Sequence, residues 1–282
     1  MSERDNKKQF ESWIGREKII VDQLTVENLN RFNVTVNDKT EINDQTLLGI
    51  HYCLGNEALP SAQLGEDSHP SKGGFLPPVS LPRRMWASSK IKFMRSIPLN
   101  LDIEKTSTVS DVIEKSGSSG PLVFVTVDHD YKCGNELFVS ETQTIVYRDA
   151  LPFKKTLPSD DIVARHRKTI KPDATLLFRY SALTFNGHRI HYDQDYATSV
   201  EGYPDLVVHG PLIATLLMNM AQKLRPDSRL ADFEFYGLAP AFVNNPLDLL
   251  IITNDCSVLE ARNSQGAIVM KATAKFYEKN DE

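Results

Sequence analysis

The sequence predicts an α+β fold in which two antiparallel sheets, each wrapped around a helix, lie within one chain. Three observations carry this. The chain has 282 residues, room for two domains of ordinary size. Its second half repeats the plan of its first, a helical element followed by a run of short strands. Hydrophobic residues make up 41% and charged residues 24%, enough apolar material for a full core and too much for disorder. The halves are placed at residues 1–150 and 151–282.

Residues 7 to 16 read as a short helix with Phe10, Trp13 and Ile14 on one face. An apolar run follows at Lys18 to Asp22, then Leu24 to Asn30 with helical spacing. Leu47 to Leu54 is apolar and fits helix or strand. From Pro60 to Pro82, the prolines Pro60, Pro70, Pro77, Pro78 and Pro82 and the pair Gly73-Gly74 exclude a regular element. Phe75, Leu76 and Val79 predict that this long loop is packed rather than free, and such loops are usually functional when ordered. Met85 to Phe93, Pro98 to Lys105, Val109 to Ser116, Leu122 to Tyr131 and Asn135 to Tyr147 read as strands, with a turn at Ser116 to Gly120.

Residues 149 to 171 are polar and read as a linker, and Ala174 to Ala182 as a strand. His209-Gly210-Pro211 opens a helix over Leu212 to Leu224, with proline in the first turn, where a helix tolerates it. Leu212, Leu216 and Met220 form its core stripe. Arg229 to Phe235, Leu247 to Asn254, Cys256 to Asn263 and Ala267 to Tyr277 close the chain as strands, with Gln265-Gly266 turning the last hairpin.

Composition narrows the function. A net charge of −5 argues against sequence-independent nucleic-acid binding, which needs a basic surface. Cys53, Cys133 and Cys256 are far apart and form no CxxC, so neither a disulfide framework nor a zinc site is expected. They read as reduced thiols of a cytoplasmic protein. The first residues, MSERDNKKQFESW, lack the apolar core of a signal peptide, and no apolar run approaches the ~20 residues of a membrane span. No metal, membrane or nucleic acid is therefore expected as a partner.

The segment Arg179-Tyr-Ser-Ala-Leu-Thr-Phe-Asn-Gly-His-Arg-Ile-His-Tyr-Asp193 places Asn186, His188, Arg189, His191 and Asp193 in one short run. His209 follows at the start of the next helix, before Gly210. This pattern resembles the signature of MaoC-like (R)-specific enoyl-CoA hydratases, Ser-Gly-Asp-x-Asn-Pro-x-His followed by His-Gly. Thr184-Phe185 stand for Ser-Gly, Asn186 for the catalytic Asp, His188 for Asn, Arg189 for Pro, and His191 for the catalytic His. The departure at Asn186 is similar to the type 2 hydroxyacyl-thioester dehydratases and the mesaconyl-C4-CoA or itaconyl-CoA hydratases. Gly73-Gly-Phe-Leu-Pro-Pro78 and Leu81-Pro-Arg-Arg-Met-Trp-Ala87 match that subfamily too, and the resemblance runs from about residue 8 to 277.

The resemblance implies a double hotdog fold and syn addition of water to an enoyl thioester, or its reverse. His191 suits proton transfer near neutral pH. Asn186 cannot titrate, so it orients water, accepts a hydrogen bond or fixes the imidazole. Either His191 works alone through the water, or Asp193 or His188 shares the task. Asp193 equally suits a cap. Gly210 is the candidate backbone donor to the enolate oxygen, and His209 binds beside it or braces the loop. His188, Arg189, Arg83 and Arg84 are candidates for substrate contact, the arginines because a planar fork suits a free carboxylate. Trp86 is expected in the core. The substrate is an acyl-CoA, with CoA part of the substrate and no separate cofactor, and a homo-oligomer stays open. Three readings follow: a hydratase of a C5 dicarboxylic enoyl-CoA such as itaconyl or mesaconyl, a 3-hydroxyacyl-thioester dehydratase of fatty-acid synthesis, and a non-catalytic acyl-CoA-binding module.

Overall fold

The computed structural model describes residues 10–36, 47–117, 120–150, 152–154 and 156–278. Residues 7–9 of the expected first helix and residues 118–119 of the expected turn lie outside these. Among the described residues ten strands pair into one antiparallel sheet. In chain order they are β1 (Glu17–Gln23), β2 (Arg83–Phe93), β3 (Asp102–Gly117), β4 (Gly120–Cys133), β5 (Glu136–Arg148), β6 (His166–Ile170), β7 (Ser228–Gly237), β8 (Leu247–Ile251), β9 (Val258–Asn263) and β10 (Ile268–Glu278). Across the sheet they run β1-β3-β4-β5-β2-β7-β10-β9-β8-β6. The order is palindromic: β6 to β10 mirror β1 to β5, and β2 and β7 meet in the middle.

The sequence led us to expect two sheets, and the structure has one. The pairing of β2 with β7, from Ser88↔Tyr236 to Lys92↔Asp232, is the reason. A strand left at a sheet edge exposes a row of unpaired N–H and C=O groups, and joining the two halves satisfies both rows. Two expected strands, 98–105 and 109–116, are the single strand β3, whose register against β4 shifts between Val109 and Asp111. Such a bulge bends a strand without ending it.

Among the described residues there are three α-helices, α1 (Val26–Val36), α2 (Ala174–Leu183) and α3 (Gly210–Leu224); α3 packs on the sheet, and α1 packs against α2 and α3. The segment read as a strand at 174–182 is helix α2. The side chain of Asp173 caps it, accepting from the Leu176 N–H at 2.7 Å, and Leu177, Tyr180 and Ser181 fall on one buried face at spacings of three and four. Near the end of the expected linker, His166–Ile170 form edge strand β6 against β8. The expected helix at 7–16 is a short 3-10 turn, Glu11–Trp13. The ambiguous run at 47–54 contains another, Ile50–Cys53.

Each half opens with a strand and a short helix, β1-α1 and β6-α2. The second half then adds α3, with Leu212 and Leu217 fully buried, packed against β7, β8, β9 and β10. Among its described residues the first half has no such helix. Residues 47–82 take its place, and their prolines forbid a helical ladder there. The inner face of β1 to β5 is therefore covered by loop, and a cavity of about 620 Å³ lies beneath it.

That inner face also carries a polar row. Lys18, Ser107, His129 and Glu141 stand opposite one another on four neighbouring strands. Ser107 and Glu141 are buried, which in a core is unfavourable unless each polar group is paired. Ser107 Oγ lies 2.8 Å from His129 Nδ1, and Gln143 Oε1 lies 3.1 Å from His129 Nε2. His51 Nε2 lies 3.6 Å from Glu141 Oε2.

Gly49, just before the 3-10 turn at Ile50, has φ of +92°, and a Cβ there would overlap the Thr215 side chain on α3. Gly49→Ala should therefore destabilise the protein by about 2 kcal/mol or more, through backbone strain and the clash together. A urea or thermal midpoint checks this, and Thr215→Ala in the same chain should restore only the part due to the clash.

Candidate active site

The catalytic candidates sit where the second half meets the cavity. His191 closes a 3-10 turn, Arg189–His191, and is 7% exposed. Its Nδ1 lies 2.7 Å from the Val207 carbonyl. A carbonyl only accepts, so Nδ1 carries the proton and the lone pair stands on Nε2, free to act as a base. Burial pushes its pKa down to about 4, against a lift from the Val207 bond, so the ring is neutral at physiological pH.

The other face of that ring is fixed by His209, stacked at 3.6 Å between centroids and 20° between planes. His209 is fully buried, and its Nε2 lies 2.7 Å from Ser181 Oγ on α2. It supports His191 from behind rather than lining the cavity, and burial, then His191, hold its pKa well below the usual value. His188 lines the cavity with its ring 5.6 Å from His191, and burial, then its histidine neighbours, keep it neutral as well.

Asn186 reaches the cavity through a strained turn: Phe185 before it has φ of +48° and is largely exposed. The Asn186 Oδ1 accepts from the His188 N–H at 3.0 Å. Its NH2 is thus the end left for a ligand, and it acts as a donor. Gly210 lines the cavity at the first residue of α3, where backbone N–H groups have no partner within the helix. A Cβ built there meets nothing within 4 Å, so a thioester can approach closely. The helix dipole adds positive potential where an enolate oxygen would form.

The remaining candidates are held elsewhere. Asp193 accepts from Arg189 at 2.7 and 2.9 Å and from the Tyr196 N–H at 3.0 Å, and does not line the cavity. Arg189 also stacks on Tyr196 and donates to the Glu66 carbonyl. Arg83 pairs with Glu201 at 2.8 Å and bonds the Val200 carbonyl. Arg84 lines the cavity but grips Asp67 through two bonds of 2.7 and 2.9 Å and the Pro70 carbonyl at 3.1 Å. Trp86, expected in the core, forms part of the cavity wall and donates to Ser89 Oγ at 2.8 Å.

Sequence reasoning missed His69. It comes from the first half, lines the cavity and lies 4.7 Å from the His188 ring. Four of the seven histidines, His69, His188, His191 and His209, thus form one row of rings. Burial and the Arg84 charge push His69 to about 3. Its loop lies across the catalytic segment: the Arg189 N–H donates to the Asp67 carbonyl at 3.2 Å, and a Cβ on Gly187 would come within 3.0 Å of the Ser68 oxygen. Asp67-Ser-His-Pro70 just ahead of the Gly-Gly block was the available signal. Ser181 and Val207, which fix the two imidazoles, carry no signal of their own.

Together these groups offer a neutral base, an amide donor and a helix-start N–H around one cavity. Among the described residues no group of three or more His, Cys, Asp or Glu is placed to hold a metal.

The sequence profile described as hydroxyacyl-thioester dehydratase type 2 matches residues 49–243. A mesaconyl-C(4)-CoA hydratase from Chloroflexus aurantiacus is 37% identical over 275 residues, covering 94% of this chain and 97% of its own. The chain belongs to the hydroxyacyl-thioester dehydratase type 2 family. Its relatives are hydratases and dehydratases, so this member is a hydro-lyase acting on acyl thioesters. A MaoC-like dehydratase structure from Phytophthora capsici shares the fold, with a TM-score of 0.71, 12% identity and 99% of both chains covered. So does a Mycobacterium tuberculosis protein described as a double hotdog, with a TM-score of 0.52, 13% identity, and 94% and 96% covered. Among the described residues no helix of this family member is long and apolar enough to cross a membrane.

The buried neutral imidazoles fix a pH dependence. The acidic limb of kcat/KM should lie near 4, not near 6.5, because His191 loses its base form only there. Stability should fall as pH drops from about 6.5 toward 4. In that window the unfolded chain binds protons that folded His191, at about 4, and His69, at about 3, refuse. A kcat/KM profile and urea midpoints from about pH 3.5 to 7.5 check both.

Proposed function

We propose that this enzyme adds water to a short C5 dicarboxylic enoyl-CoA, mesaconyl-C4-CoA or itaconyl-CoA, giving citramalyl-CoA. The observation that carries the substrate class is the wall of the cavity. Its lining is largely apolar, with Phe75, Leu76, Ile145, Val208 and Ile213 among it, but Lys18, Glu57, Gln143, Lys72 and Arg84 set polar groups into it that a plain acyl chain would leave unpaired. Gln143 is pre-oriented: its Oε1 faces His129 Nε2, which leaves its NH2 as a donor toward the cavity. The likeness to the mesaconyl-C(4)-CoA hydratase supports the same reading.

In this reading residues 1–150 supply the acyl pocket and residues 151–282 the hydratase motif. With mesaconyl-C4-CoA, whose alkene is conjugated with the thioester, His191 Nε2 takes one proton from water as the hydroxyl bonds to the β-carbon. The alkene electrons move to the thioester oxygen, held by the Gly210 N–H. The imidazolium then returns the proton to the α-carbon, on the same face. Asn186 holds the water or the thioester by its NH2. Asp193 acts through Arg189, keeping the turn that carries His191.

The test is a panel of mesaconyl-C4-CoA, itaconyl-CoA, crotonyl-CoA and a long trans-2-enoyl-CoA, followed by loss of enoyl absorbance and by product analysis. Turnover should strongly favour the dicarboxylic thioesters, with crotonyl-CoA a slow but measurable substrate. His191→Ala should lower kcat by roughly 100-fold or more, the usual worth of a positioned base. Preferred turnover of crotonyl or long chains would move the enzyme to the fatty-acid dehydratase reading, which the family match also fits. Binding without turnover would leave a non-catalytic module.

A further inference from the structure

A free carboxylate on the acyl group needs a cation, and the sequence offered Arg83, Arg84 and Arg189. The structure commits each of them to a carboxylate of the chain itself: Arg83 to Glu201, Arg84 to Asp67 and Arg189 to Asp193. Three Lys and Arg side chains line the cavity, Lys18, Lys72 and Arg84. Lys18 pairs with Glu57 at 2.7 Å, so two of the three are neutralised.

We propose that Lys72 is the carboxylate-reading residue of the acyl pocket, its ammonium holding the free carboxylate of the dicarboxylic substrate. This rests on the dicarboxylic reading above. Among the described residues Lys72 has no carboxylate partner. Its Nζ donates to the Leu81 carbonyl at 2.5 Å and lies 5.6 Å from the Tyr147 ring. An ammonium has three donors, so donors remain for a ligand. Arg84 lies close enough to repel it, and burial and that repulsion both lower its pKa. Asp67 balances Arg84, and the neighbouring histidines are neutral. This corner of the cavity therefore carries one uncompensated positive charge. That is unfavourable in the empty site and is relieved by an anion.

The position suits the task. Lys72 precedes Gly73-Gly74, and its loop is tied down where Trp13 Nε1 at 3.3 Å and Arg16 Nη1 at 2.5 Å both reach the Gly74 carbonyl. On the other side the Arg84–Asp67 pair fixes the strand-to-loop distance. The charge is thus held in place rather than carried on a free arm, which is what discrimination between substrates requires.

A CoA phosphate would satisfy the same cation, and crotonyl-CoA separates the two sources because it keeps the phosphates and lacks the acyl carboxylate. The experiment measures kcat/KM of wild type, Lys72→Met and Lys72→Arg on mesaconyl-C4-CoA and crotonyl-CoA, with thermal melting as the control for folding. The Met variant should lower the mesaconyl-to-crotonyl ratio of kcat/KM by roughly 10- to 100-fold, the worth of one charge-assisted hydrogen bond, chiefly through KM. The Arg variant should recover much of it. Equal losses on both thioesters would place Lys72 at the CoA phosphates and overturn the assignment. So would an unchanged ratio in a folded variant that still hydrates mesaconyl-C4-CoA. A wild type inactive on every dicarboxylic thioester would instead overturn the substrate reading, and the assignment with it.

Discussion

The Arg84–Asp67 pair is the constraint on which the site depends. Both side chains are nearly buried, at 8% and 12% exposure, and the contact is bidentate. Burial alone would raise the Asp67 carboxyl, but Arg84 outweighs it and holds the pKa below the usual range. The pair joins β2 to a loop that belongs to no regular element. That loop in turn accepts from the Arg189 N–H, presses on Gly187 and presents His69. One ion pair therefore sets the roof of the cavity, the seat of the catalytic turn and the local charge. In water an exposed pair would be too weak for this; here solvent is largely excluded.

A second constraint is the sheet. Because β2 and β7 share hydrogen bonds, the two halves form one continuous surface and cannot slide apart. The long helix α3 covers one half of it. The loop from 47 to 82 covers the other, and it cannot pack as closely as a helix would. The cavity is the resulting space. The catalytic candidates come from the start of α3 and the turn that carries His191, and the cavity walls come from both halves.

Much of this was legible in the sequence. Helix α3 shows because Pro211 and the stripe Leu212, Leu216 and Met220 agree on one helix. The hairpins show because turn residues separate alternating runs. The motif from Asn186 to Asp193 shows through residue order. Helix α2 did not, because 174–182 is a short run around Leu176-Leu-Phe178 whose period is ambiguous and its capping Asp173 lay at the end of a polar stretch that reads as linker. The joined sheet was hidden because pairing between β2 and β7 is a tertiary event with no local mark. The states of the three arginines were hidden for a similar reason. Each partner, Glu201, Asp67 and Asp193, is an ordinary acidic residue until the fold brings it near. His69 was overlooked because a single histidine in a proline-rich loop looks like surface.

The palindromic strand order has a further meaning. Two identical chains paired in this way would be bound by symmetry, so every change in one would appear in the other. A helix replaced by an open loop on one side would then be lost on both, and α3 with its start would disappear with it. Joining the halves into one polypeptide removes that bond. Each half is free to specialise, one toward proton transfer and the other toward choosing what is brought to it. The asymmetry that makes the pocket is closed to a pair of identical chains and open to a chain that carries both halves.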